Sequence, residues 1–203
     1  MPYVQSKLAT DQPFVVLAES FSGPLAFELA ATHPANLVAV VLCASFVTDP
    51  APSFVRWVRV LIGAPLFKLK PAPFLVRHFL LGQAASVGMI TQFMETVQLV
   101  KPAVLASRIR SVFNVDARAT LRACQVPLLY LGAKHDRVVR ERSLAEIKAV
   151  KPDIEVLIID GPHFLLQDNP GLAIEALEGF VRRVATPANQ RFERTRIRIS
   201  PKD

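Results

Sequence analysis

Residues 14–32 constrain the fold most. They read Phe-Val-Val-Leu-Ala-Glu-Ser-Phe-Ser-Gly-Pro-Leu-Ala-Phe-Glu-Leu-Ala-Ala-Thr. Phe14 to Leu17 is a short, continuously apolar run, the pattern of a strand buried on both faces. Ala18 to Gly23 is a turn of mostly small residues with Ser20 near its centre. From Pro24 onward Ala, Leu and Glu dominate, and proline suits the first turn of a helix. The predicted unit is a strand, a tight turn and a helix, with Ser20 on a strained backbone. Ala18 and Ser22 are small because bulk two residues either side of Ser20 would strike the neighbouring strand or helix. The helix points its amide ends at the turn, where they favour negative charge. An ordinary strand-to-helix turn with a capping serine has the same local appearance, so the rest of the chain must decide.

Downstream, His33-Pro34-Ala35-Asn36 closes the helix, and Leu37 to Phe46 is a second apolar, β-branched run. Strand, helix, strand at this spacing is one right-handed βαβ unit of a parallel sheet. From Val47 to Asn114 the texture changes. Prolines at 50, 52, 65, 71, 73 and 102 divide it into short amphipathic helices, among them 54–62, 74–81 and 89–100. We read residues 47–114 as an all-helical insertion, apolar on one side and cationic on the other through Arg56, Arg59, Lys68, Lys70, Arg77 and Arg108. Its apolar face either packs on the core or also lines an acyl-sized pocket over Ser20. Strands are expected again at 128–131 and 154–159. They lead into loops carrying Asp136 and His163, at the carboxyl strand ends where open parallel sheets keep their chemistry. A helix over 171–184 is expected to pack through Leu172, Ile174, Leu177, Phe180 and Val181.

At 203 residues the chain has length for one domain with a proper core. It is 51% hydrophobic, with a mean hydropathy of +0.32. Arg, Lys, Pro or Gly interrupts every apolar run before membrane-spanning length, so no integral membrane insertion is expected. Met1 is not followed by a basic-then-apolar signal segment, and Cys43 and Cys124 read as buried free thiols. Both point to a reducing, cytoplasmic setting. The net charge of +7 is concentrated in the insertion and in residues 185–203. Without a stacking platform or a matching fold, it gives no case for nucleic-acid binding.

Ser20, Asp136 and His163 follow strand ends in the order serine, acid, histidine. With LAESFSGPLA, VPLLYLGAKHDRVV and DGPHFLLQDNP around them, the chain resembles the α/β-hydrolases of the carboxylesterase or lipase-like kind with a helical lid, over roughly residues 12–184. The first motif is then the nucleophile elbow. The resemblance implies an α/β fold: a mostly parallel sheet flanked by helices, built from residues 1–46 and 115–184, with 47–114 as the lid. It implies Ser20 as nucleophile, His163 as general base, Asp136 as its orienting acid and the Phe21 amide as an oxyanion donor. It also implies hydrolysis of short- to medium-chain carboxylic esters through an acyl-enzyme, without metal or cofactor. His33, His78 and His135 have no comparable context, and Glu19 is expected to point away from Ser20.

The chain departs from that family in beginning just before the elbow strand. It reads as a form lacking the amino-terminal strands and the loop that supplies a second oxyanion donor. Losing one such donor costs roughly 3–4 kcal/mol, about 10²–10³ in rate. The elbow strand becomes an edge, and an apolar edge invites covering. The expectation is a homo-oligomer that covers it. The alternative function is a weakly active or inactive fragment serving as a self-associating or lipid-binding module. The tail, 185–203, alternates Arg with Phe, Thr and Ile. It suits a solvated end or a strand added to an edge.

Overall fold

The computed structural model of the chain describes residues 12–51, 69 and 71–185. Within them the order is β1 (Phe14–Glu19), α1 (Ser22–Ala30), β2 (Leu37–Cys43), α2 (Pro73–Val76) running into a π-helical turn (Arg77–Leu81), α3 (Val87–Gln98), α4 (Pro102–Phe113), α5 (Arg118–Ala123), β3 (Leu128–Ala133), α6 (Glu141–Val150), β4 (Glu155–Ile159), α7 (Leu165–Asp168) and α8 (Pro170–Ala185). The expected helix over 54–62, the start of the chain and the tail from 186 lie outside the described residues.

The four strands form one parallel sheet in the order β1-β2-β3-β4. The apolar runs explain this. Val40, Val41, Leu42 and Cys43 are fully buried because both faces of β2 are covered. On one face Phe27 of α1, Leu121 of α5 and Ile147 of α6 pack over Val40, Leu42 and Tyr130. On the other, Ala173 and Phe180 of α8 and Leu165 of α7 pack over Val41, Leu129 and Leu131. One helix of each strand-to-strand crossover, α1, α5 and α6, thus lies on one side and the closing helix on the other, as uniform handedness requires.

Two element boundaries and one buried face differ from the sequence reading. The run through Phe46 stops being strand at Cys43, because Ala44 takes a left-handed φ of 46° and turns the chain out of the sheet. A helix occupies 102–113 directly behind Pro102, its fixed φ suiting the first helical turn. The closing helix buries Phe180 and packs Leu177 as expected, but its stripe is rotated away from Leu172 and Ile174. Ala173 and Phe180 face the sheet with Ala176, Leu177 and Val184 beside them, while Leu172 and Ile174 are 48% and 49% exposed. At the β1 edge Leu17 is 44% exposed, and it opens onto a 190 Å³ crevice shared with Leu131, Leu166, Ala173, Ile174 and Leu177.

No helix among the described residues is long and apolar enough to cross a membrane. Cys43 and Cys124 are both free and buried.

Candidate active site

Ser20 stands between β1 and α1 at φ 51°, a left-handed conformation that costs a non-glycine residue roughly 1–2 kcal/mol. The surroundings hold it there. Its amide donates to the Cys43 carbonyl at 2.8 Å, prolonging the β1–β2 ladder by one bond. Its own carbonyl accepts from the Gly23 amide at 3.1 Å and from the Ser45 hydroxyl at 2.8 Å. Ser22 Oγ donates back to the Glu19 carbonyl at 2.7 Å. The turn is therefore bonded on both flanks, which lets the strain persist.

Ser45, in turn, offers its carbonyl to the Tyr130 hydroxyl at 3.1 Å. The sequence reading missed this buried layer of Ser45, Tyr130 and Gly23 beneath the elbow. Only the position of Ser45 just past a strand's carboxyl end hinted at it.

Asp136 and His163 are brought together by continuing the β3–β4 pairing past the strand ends. The Lys134 amide donates to the Ile159 carbonyl at 2.9 Å, and the His135 amide to the Gly161 carbonyl at 3.0 Å. Asp136 Oδ1 accepts from the Val138 and Val139 amides at 2.8 and 2.7 Å, which leaves Oδ2 to face the imidazole. His163 Nδ1 lies 2.8 Å from Asp136 Oδ2, and Nε2 lies 2.9 Å from Ser20 Oγ. Both side chains of the acid–imidazole pair are 4% exposed. An ionised carboxylate only accepts, so Nδ1 carries the proton and donates to Asp136. Nε2 is then free to accept from the Ser20 hydroxyl.

The other candidates stand apart. His135 pairs with Asp160 at 2.8 Å and is exposed, His78 meets Arg137 on the insertion side, and His33 sits in the exposed turn after α1. Glu19 Oε2 accepts from Gln167 Nε2 at 3.2 Å. Beneath the site, burial foremost, with the Glu19 and then the Asp136 carboxylate adding to it, pushes the Cys43 thiol up to about 12. Burial likewise raises the Tyr130 phenol. Both therefore remain neutral in the physiological range. A 430 Å³ cavity adjoins the Asp136 loop, lined by His78, Gln83, His135, Arg137 and Asp160 among others. No cluster of three or more His, Cys, Asp or Glu able to hold a metal occurs among the described residues.

A parallel sheet, a serine on a left-handed strand-to-helix turn, and acid and imidazole on later strand ends define the α/β-hydrolase class. The chain belongs to the hydrolase family described as serine aminopeptidase, S33, which it matches over residues 3–170. No curated protein matches the sequence. Among solved structures, it is similar to a thermophilic esterase from Thermogutta terrifontis, with 17% identity and a TM-score of 0.73 over 90% of this chain and 70% of that one. It is similar to a hydrolase from Oleispira antarctica, with 13% identity and a TM-score of 0.71 over 84% of this chain and 66% of that one. A bromoperoxidase from Bacillus anthracis gives 15% identity and a TM-score of 0.72 over 88% of this chain and 70% of that one. At such identities the likeness is one of fold, and the chain spans about two thirds of these proteins' length.

Proposed function

We propose that this α/β-hydrolase is a serine carboxylesterase acting on short- to medium-chain esters. One observation carries the reading: the unbroken series Asp136 Oδ2, His163, Ser20 Oγ, with contacts of 2.8 and 2.9 Å. Ser20 Oγ attacks the ester carbon while its proton passes to His163 Nε2. Asp136 holds the imidazole tautomer and stabilises the imidazolium. The negative charge on the former carbonyl oxygen is met by the Phe21 amide at the head of α1. As the tetrahedral adduct collapses, the C–O bond to the alcohol breaks and His163 returns its proton to the leaving oxygen. Water, deprotonated by His163, then attacks the acyl-serine, releasing the carboxylic acid and restoring Ser20. The scheme uses no metal or organic cofactor.

The test is labelling by a fluorophosphonate, with mass spectrometry to locate the adduct, together with turnover of p-nitrophenyl acetate and butyrate. The expected result is an adduct on Ser20 and turnover that vanishes in Ser20→Ala. An unlabelled Ser20 in folded protein ends the proposal. Amide substrates, run in parallel, separate ester from peptide hydrolysis.

The β1 edge favours a second reading, that of a self-associating module. Among the described residues β1 is an outer strand, its six residues include no Lys, Arg or Pro to blunt the edge, and Leu17 stands exposed on it. A second copy paired antiparallel on β1 across a two-fold axis would cover Leu17 and Ile174 together. A seam about 20 Å long and three layers, about 30 Å, deep is roughly 600 Å², approaching the ~800 Å² per partner of a stable interface. Light scattering at micromolar concentration should show a dimer that Leu17→Lys dissolves. A wild-type monomer removes this reading and leaves the esterase untouched.

A further inference from the structure

The two chain neighbours of His163 both rest on the helical insertion. Pro162 lies against Gly82, so closely that a Cβ built on that glycine would be 3.0 Å from the proline ring. Gly82 is at φ 80°, where a side chain is strained in any case. Phe164 is gripped more firmly. Its amide donates to the Leu80 carbonyl at 3.0 Å, at the end of the π-helical turn, where a helix leaves carbonyls without intrahelical partners. Its ring meets Phe93 of α3 edge-on, with centroids 5.5 Å apart and planes at 86°. The same ring also meets His163, with centroids 5.9 Å apart and planes at 69°.

The composition of the small apolar cluster sharpens this. Val76, Leu80, Leu81, Ala85, Met89, Ile90, Phe93 and Met94 all belong to the insertion, and among the described residues Phe164 is the one that joins them from the sheet-bearing part of the chain. A residue beside His163 thus packs, partly buried, against the core of another layer. The backbone bond to Leu80 and the ring contact with Phe93 together restrain the segment that carries the imidazole.

We propose that Phe164 is a positioning residue. It transmits the packing of the insertion to His163, so that the Nε2–Ser20 alignment depends on α3 and the π-helical turn being in place. The insertion thus helps set the reactivity of the base besides whatever it contributes to binding. The inference rests on the esterase reading for its kinetic consequences, but not for its geometry.

The experiment uses the full chain with Phe164→Leu, Phe93→Leu, the double variant and Phe164→Tyr, which keeps the ring. The His163 imidazole is followed by ¹H–¹⁵N NMR through a pH titration, alongside kcat and KM for p-nitrophenyl butyrate and a thermal melt. Phe164→Leu should lower kcat by about ten- to a hundredfold, the scale of a sub-ångström to ångström misalignment, with KM little changed. It should also move the His163 titration. Phe93→Leu should do the same to a lesser degree, and the double variant should be no worse than Phe164→Leu, since both act through one contact. Phe164→Tyr should restore the wild-type titration. Melting temperatures that fall while the His163 titration and kcat stay at wild-type values would overturn the proposal. A shifted titration in a protein that fluorophosphonate does not label would sink the esterase reading and leave the positioning role standing.

Discussion

Gly23 and Ser45 approach so closely that a Cβ on Gly23 would lie 1.8 Å from the Ser45 hydroxyl oxygen and 2.9 Å from its Cβ. The elbow helix therefore starts in contact with the residue whose hydroxyl holds the Ser20 carbonyl. Gly23→Ala is expected to cost about 1–3 kcal/mol from overpacking, plus about 1 kcal/mol as the Ser45 bond is displaced. Urea denaturation measures the loss. The double variant Gly23→Ala/Ser45→Gly removes the clashing atoms and should recover part of it, whereas additive losses would show that the contact is not the cause.

The left-handed Ser20 predicts opposite movements of stability and activity. Ser20→Ala and Ser20→Gly both remove the hydroxyl, so neither should hydrolyse ester. Glycine adopts φ 51° without the Cβ penalty and should be about 1 kcal/mol more stable than the alanine variant. Equal melting temperatures for the two would mean that the turn relaxes in solution.

Asp136 has two separable duties, one on each carboxylate oxygen. Asp136→Asn can retain the Val138 and Val139 amide bonds through its carbonyl oxygen but presents an NH₂ to His163 Nδ1. The wrong tautomer should lower kcat by about 10⁴-fold with the loop intact. Asp136→Ala should lose the loop bonds as well and melt lower. Near-normal turnover in the asparagine variant would remove Asp136 from the mechanism.

The Cys43 thiol carries an alkaline signature. Its pKa rises from 9.0 to about 12 on burial, so between those values the folded chain keeps a proton that the unfolded chain releases. Its contribution to stability is complete below pH 9 and should decline above it by at most ~1.4 kcal/mol per pH unit. Tyr130, also raised by burial, acts in the same direction. Urea midpoints from pH 8 to 10.5 should fall more steeply for wild type than for Cys43→Ala. In the native protein Cys43 should resist iodoacetamide at pH 8, and rapid alkylation without unfolding would contradict its placement.

Much of the architecture was legible because burial leaves a local trace. A strand covered on both faces is a continuous apolar run, and β2 and β3 show it. The turn at Ser20 announced itself through small residues and a following proline, and the later loops through polar residues just past strand ends. The closing helix was harder. Phe180 and Leu177 packed inward as their type suggests, yet Leu172 and Ile174 stayed half exposed while Ala173 was buried, because hydropathy alone does not fix how a helix rotates against a sheet. Gly82, Leu80, Phe93 and Phe164 gave no joint signal, since they meet only after the insertion folds back.

What the sequence determined by itself was an ordered set of strand–loop–helix units and the serine, acid and histidine that the loops carry. Each of those properties depends on neighbours a few residues away along the chain. The tertiary structure alone decided that residues 143 positions apart would stand at hydrogen-bond distance, that Ser45 would brace the elbow from below, and that the insertion would grip both neighbours of His163. Those are contacts between distant segments. Their geometry follows from how layers pack at ångström precision, which no local pattern of residue types encodes.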